Sequence, residues 1–226
     1  MKSTLIKRIA VFGGLILLFA GFTANSQDVK DIDGKVYNTA KLGLQVWTAS
    51  NLSVSHFRNG DVIVEAKTPE EWAAAGTNGT PAWCYYENDP RNGMKYGKLY
   101  NWYAINDPRG LAPEGWHVAT NEDWRALVKN LLGIDVAGTK LKSAADWKVR
   151  KGTNNIGFTA IPGGRRDTEG KFKDLGNIGQ WWSNSVPIEV RPSNKIFSFA
   201  LSDAQLGVKY LQVEKGTGLS VRCEQD

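Results

Sequence analysis

The stretch GQWWSNS, residues 179–185, poses the question that decides the fold. Successive side chains of a β-strand point to opposite faces, so Trp181 and Trp182 cannot both enter one core if the segment is extended and one of its faces is wet. Either both faces are covered, or one indole is left for a partner. From Gly157 onward the neighbouring segments GFTAIPGG, GKFKDLG, KIFSFALS, VKYLQVEK and GLSVRCEQD are short alternating runs separated by Gly, Asp or Pro turns, the pattern of antiparallel strands. In IFSFALS, Ile196, Ser198, Ala200 and Ser202 fall on one face, and Phe197, Phe199 and Leu201 on the other.

Upstream the texture is helical. TPEEWAAAG carries Thr68 as N-cap, Pro69 at the first helical position, Glu71 at the reciprocal capping site and Gly76 as the stop. TNEDWRALVKNLLG is the clearest helix: Thr120 caps it, Asp123 follows three residues on, and Trp124, Leu127, Val128 and Leu131 make one apolar stripe. A second helix is expected over LYNWYAIN, with Leu99, Tyr103 and Trp102 turned inward, and a short third one around GTKLKSA. Residues 31–52 alternate about the turn signals Asp33-Gly34 and Leu42-Gly43 and read as an opening β-hairpin. Helices first and an antiparallel sheet later is α+β segregation, not βαβ alternation.

The chain opens with a basic segment (Lys2, Lys7, Arg8), an apolar run from Ile9 to Phe22, and small polar residues up to Ser26. This reads as a secretory signal peptide over residues 1–26, the apolar run being shorter than the ~18 residues a membrane span needs. The mature chain, residues 27–226, is then a single exported domain of periplasmic, cell-surface or extracellular location, with no stable membrane span. Without the leader, 28 bases against 23 acids become 25 against 23. That near-neutral balance argues against nucleic acid, which needs a basic face to neutralise phosphate. Two cysteines, Cys84 and Cys223, in an exported chain favour a disulfide. Two separate buried thiols are the alternative, and sequence does not supply the Cβ geometry that decides.

Several motifs match, in order, the landmarks of a known family: DIDGKVY, QVWTASNL, YGKLYNWYAI, PEGWHVATNEDW, GFTAIPGGRR, GQWWSNS and LSVRC. From about Asp31 to Asp226 the chain resembles the Fibrobacter succinogenes major paralogous domain, found in exported bacterial proteins. That domain in turn looks like the C-type-lectin-like superfamily that includes the formylglycine-generating fold. The resemblance implies an N-terminal hairpin and two to three helices packed on a late antiparallel sheet with long loops. Relatives often carry Pro where this chain has Ala119 and sometimes Cys where it has Ala112, so a Cys84–Cys223 pairing is not simply inherited from them.

The inventory of reactive groups points away from an enzyme. His56 reads as a solvated loop residue, and His117, beside Trp116, as a hydrogen-bonded structural histidine. The two are too isolated for a zinc site unless carboxylates complete it, so no metal site is expected. No nucleophile elbow, P-loop or dinucleotide fingerprint occurs, and cysteine chemistry of the formylglycine-generating kind would have only Cys223. Binding has more material. Three quarters of the aromatic residues are expected in packing, and in a lectin-like fold both Trp181 and Trp182 are expected to be sheltered. If one is exposed, Trp182 is favoured, since Gln180 and Asn184 share its face. Nine bases (Lys140, Lys142, Lys148, Arg150, Lys151, Arg165, Arg166, Lys171, Lys173) against Asp146, Asp167 and Glu169 make either solvated loops or a surface that steers anions. Calcium has one compact candidate in ENDPRNG (Glu87, Asn88, Asp89, Asn92), which a turn explains equally well. The expected function is a non-catalytic module binding carbohydrate or a surface protein through Trp182, Asn184, Arg165, Arg166 and Asp203. The competing expectations are a degenerate formylglycine-generating enzyme and a structural piece of a surface assembly.

Overall fold

A computed structural model describes residues 28–185 and 194–226; the expected leader over residues 1–26 lies outside the described residues. Two hairpins open the chain, β1 (Val29–Lys30) with β2 (Val36–Tyr37) and β3 (Thr39–Leu42) with β4 (Gln45–Thr48). β5 (Val64–Glu65), α1 (Pro69–Asn78), β6 (Ala82–Cys84), α2 (Pro90–Tyr96) and β7 (Leu99–Tyr100) follow, and their strands form a sheet of order β5-β6-β7. Next come α3 (Trp102–Ile105), β8 (Trp116–Val118), α4 (Asn121–Asn130) and α5 (Ala137–Leu141). The β-rich half holds β9 (Arg165–Arg166), β10 (Phe172–Lys173), β11 (Ile178–Trp182), β12 (Lys195–Ser202), β13 (Val208–Glu214) and β14 (Cys223–Gln225). β11, β12 and β13 make an antiparallel meander, while β14 inserts between β4 and β8, giving the order β3-β4-β14-β8. The described fold is thus α+β, built from several small, mostly antiparallel sheets.

Local signals place the helices. Capping boxes close the N-termini of α1 (Thr68 with Glu71) and α4 (Thr120 with Asp123) as the sequence implies. α1 nevertheless runs past Gly76, which serves close approach instead: a Cβ there would lie 3.2 Å from the Gly216 Cα. The helix stops at Gly79, whose φ of 69° suits glycine. LYNWYAIN is only partly helical, because Leu99 and Tyr100 pair with β6 and the Asn101 side chain caps the four-residue α3. ENDPRNG is not a simple turn but the start of α2, capped by Asp89. GFTAIPGG forms no strand, only isolated bridges at Ala160 and Gly164.

The doublet is covered on both sides. Trp181 enters one core with Trp47, Trp124, Phe158, Phe199 and Leu201. Trp182 points the other way into a second core with Tyr37, Tyr100, Trp116, Leu219 and Val221. Both indoles are fully buried, and all nine tryptophans of the chain are at most 9 % exposed, while Tyr85, Tyr96, Tyr103, Phe172, Phe197 and Tyr210 are half-buried. In the first core Trp124 stacks on Phe199 at 4.2 Å and lies 4.7 Å from Trp47. Three indole donors find acceptors across the fold: Trp182 Nε1 donates to Tyr100 O, Trp124 Nε1 to Trp182 O, and Trp181 Nε1 to Asn51 Oδ1, whereas Trp47 Nε1 and Trp102 Nε1 are buried without a partner.

Asn51 ties the two halves together. Its Oδ1 also accepts from Arg222 Nε at 2.8 Å, and its Nδ2 donates to Tyr96 O and Ser220 Oγ. Arg222 is fully buried and spends its remaining donors on Thr48 O, Phe158 O and Thr159 O, all neutral acceptors. Burial pushes it down to about 9, which leaves it charged at neutral pH. Gly97 lets the chain approach this hub: at φ 75°, a Cβ would stand 2.8 Å from Leu52 O and 3.0 Å from Asn51 Cβ. Asn51→Ala strips a partner from two buried donors, each worth roughly 1–3 kcal/mol when orphaned. The expected loss in urea unfolding is on the order of 3 kcal/mol, and a wild-type midpoint would show that this amide does not hold the cores together.

Candidate functional site

The strand period that splits the tryptophans also splits Arg165 and Arg166. In the β9–β10 hairpin Arg165 lies opposite Lys173 and Arg166 opposite Phe172, on alternate faces. Arg166 turns inward and is fully buried between Trp72 and Phe172, donating to Gly170 O and Ala66 O. Arg165 turns outward to the edge of a cavity of about 340 Å³ on the meander. Its Nε donates to Asp174 Oδ2 at 2.7 Å, and Asp174 is itself held at φ 71°.

The floor of this groove follows from strand register. Gln180, Ala200 and Lys209 stand in one cross-strand row, and Ile178 and Ser202 pair in the next. These residues share the face of Trp182, which is sealed by the second core at one end and open at the other. Leu211 is half-exposed on the same face, Gln205 completes the wall, and Gln212, on the other face of β13, borders it. Gln180 is buried, its Nε2 donating to Ser198 Oγ at 2.8 Å. The result is an apolar floor ringed by amides, a hydroxyl, one carboxylate and two cations, within the size range of small-molecule sites.

The five residues expected to bind ligand are not brought together. Arg165 lines the groove. Trp182 and Arg166 are interior groups with no face for a ligand. Asn184 is half-buried, its backbone N–H donating to Ala119 O, and Asp203 donates its backbone N–H to Asn177 O, beside the groove and not in its lining. Lys209, Gln205 and Gln212 were not expected, although the exposed polar positions of VKYLQVE signal an edge strand with one open face. The basic run 140–173 is largely spent. Lys142 is buried with Nζ on Ser202 O and Gln205 O, while Arg165, Lys171 and Lys173 pair with Asp174, Glu169 and Asp167. In ENDPRNG the Asp89 carboxylate caps α2 and pairs with Arg91, and the Asn88 and Asn92 amides donate to Lys67 O and Tyr86 O.

Both histidines are engaged. His56, expected in solvent, pairs its Nδ1 with Asp33 Oδ1 at 2.5 Å. His117 is hydrogen-bonded through both nitrogens, to Asp226 Oδ1 at 2.8 Å and Asp123 Oδ2 at 2.9 Å. Near His56, the buried Lys98 reaches Ser55 Oγ and lies 3.6 Å over the Trp83 ring. Burial pushes Lys98 down to about 8, against the pull of Asp33 and Glu65. Between about 8 and the ordinary 10.5 the unfolded chain therefore holds a proton that the folded chain has released, and stability from this group rises with pH across that window. Urea midpoints measured from pH 7 to 10.5 are expected to rise in wild type relative to Lys98→Met; parallel curves would refute the assignment.

The expected disulfide is absent. Cys84 and Cys223 are both free and buried. Cys84 sits on β6 among Trp72, Tyr86 and Leu99, whereas Cys223 sits on β14 in a different sheet and a different core. Burial pushes both thiols up to about 12, Cys84 against the opposing influence of Arg166 and Cys223 against that of Arg222. Neither is the exposed, low-pKa thiol that cysteine chemistry needs. A thiol reagent at pH 8 is expected to find no reactive group in the native protein and two equivalents after unfolding in urea, without prior reduction.

Among the described residues no helix is long and apolar enough to cross a membrane. Searches of curated proteins and of solved structures each found no match. The family model described as Fibrobacter succinogenes major domain matches residues 40–224, which covers α1 to α5 and all strands but the first hairpin and the edges of β3 and β14. The chain therefore belongs to the Fibrobacter succinogenes major domain family.

Proposed function

We propose that the protein is an exported, non-catalytic binding module on a C-type-lectin-like scaffold, and that it takes an acidic carbohydrate chain in the groove of the β11–β13 meander. The observation that carries this reading is the convergence of Arg165, Lys209, Gln180 and Gln205 on one open apolar floor. Amides and hydroxyls suit sugar hydroxyls, and the two cations suit a uronate or sulfate group, for which a guanidinium provides charge-assisted hydrogen bonds. With all nine indoles inside, recognition here rests on polar groups over Ala200, Ile178 and Leu211 and not on aromatic stacking.

Export is part of the proposal and draws on the basic-then-apolar segment at the start of the chain. Against the formylglycine-generating alternative stand the two deeply buried thiols. A protein ligand presenting an acidic surface would use the same residues and is an outcome of the same experiment. Binding of uronate-containing oligosaccharides, neutral oligosaccharides and whole-cell envelopes is measured on purified protein and on Arg165→Ala. One lost charge-assisted hydrogen bond is worth about 1.5–3 kcal/mol, so the variant is expected to bind uronates roughly 10- to 100-fold more weakly. Silence of the wild-type protein against all three would remove the reading.

A further inference from the structure

At the β3-β4-β14-β8 sheet, His117, Asp123 and Glu224 each bring one donor atom to within 4.8 Å of the others. Strand register builds the pair: His117 of β8 stands directly opposite Glu224 of β14, and Trp47 of β4 stands opposite Glu224 on its other side. Gln45, two residues before Trp47, is therefore on the same face and diagonal to Glu224. α4 closes the arrangement from above, because its capping box turns Asp123 back toward Thr120, whose N and Oγ1 both donate to Asp123 Oδ2 at 2.7 Å.

Three features go beyond a cluster of acids. His117 is oriented from behind: its Nδ1 meets Asp226 Oδ1 at 2.8 Å, so Nε2 faces Asp123 and Glu224. An outer carboxylate on the far nitrogen is how metal-bound histidines are fixed in ring orientation and tautomer. Gln45, nine-tenths buried, points its amide into the cluster, with Nε2 donating to Glu224 Oε2 at 3.0 Å and to Asp123 O at 3.1 Å. Its Oε1 is buried without a hydrogen-bond partner, and a half-turn of the amide would present that oxygen to the cluster, where a cation would satisfy it. Finally, three carboxylates surround one imidazole, and Glu224 is buried beside the Asp123 charge.

We infer that His117, Asp123 and Glu224, with Gln45 Oε1 as a fourth donor, form a binding site for a divalent cation of the zinc class. His117 Nε2 and Asp123 Oδ2 lie 2.9 Å apart; any proton they share leaves to solvent on binding, and the imidazole lone pair and carboxylate oxygens become ligands. One imidazole nitrogen with a few carboxylate and carbonyl oxygens is a four-coordinate zinc set. Calcium takes six to eight oxygen ligands and finds too few here. The cation would tie β8, β14, β4 and α4 at one point, so binding is linked to stability.

The test is zinc titration by calorimetry on purified, chelator-treated protein at pH 7.5, with cobalt(II) absorption reporting coordination number. One equivalent is expected to bind with a rise in melting temperature and a four-coordinate cobalt spectrum. His117→Gln and Glu224→Gln are expected to abolish it. Asp226→Asn, at an exposed position, is expected to weaken binding roughly 10- to 100-fold with an unchanged circular dichroism spectrum, and carries the test if the other variants fail to fold. Arg165→Ala is expected to bind zinc like wild type, which separates this site from the groove. Folded wild-type protein that binds no zinc, or Asp226→Asn that binds it as tightly as wild type, would overturn the inference.

Discussion

The side-chain amide of Asn51 is the contact on which the rest of the structure depends. One oxygen receives both the Trp181 indole and the Arg222 guanidinium, and so joins the start of the chain to the meander and to the strand that closes the terminal sheet. Each of these groups would be costly to bury alone: an indole N–H without an acceptor, a guanidinium without a counter-charge. Together they are satisfied by neutral oxygens, and the charge stays in place because four acceptors share it. This is why the landmark segments QVWTASNL, GQWWSNS and LSVRC, far apart in sequence, belong to one interior.

The same arithmetic of alternation runs through the β-rich half. A strand two residues wide in identical side chains sends one to each side, so WW bridges two cores and RR divides between a core and a groove. The meander is thus a partition. Its Trp181 face packs through Trp181, Phe199, Leu201 and Val208 into the core of α4, and its Trp182 face is packed at one end and open at the other. Strand register places the open end beside Lys209, and the connections carrying Asp174 and Gln205 complete its rim.

Signals carried within a few residues were legible in the chain. Thr68 with Glu71 and Thr120 with Asp123 announce α1 and α4, because a cap and its partner lie three positions apart whatever the tertiary setting. The late strands were legible by alternation and the inward tryptophans by their sheer number, though the sheet to which each strand belongs was not. α2 escaped notice because PRNGMKY has little apolar periodicity and is held by Asp89 and by its surroundings. The Cys84–Cys223 pairing failed because compartment and even count say nothing of distance, and the two residues fall in separate sheets. Of the five residues expected to bind ligand only Arg165 lines the groove, since which arginine of a doublet faces outward depends on a pairing with β10 that composition does not show.

The insertion of β14 between β4 and β8 has a kinetic meaning. Asn51 and Arg222 are 171 residues apart, and contacts of such separation close late and slow the acquisition of structure. Until β14 arrives, the terminal sheet lacks its central strand and both cores stay open along one side. The two cores are therefore closed together, by a strand that lies far along the chain from both of its sheet partners.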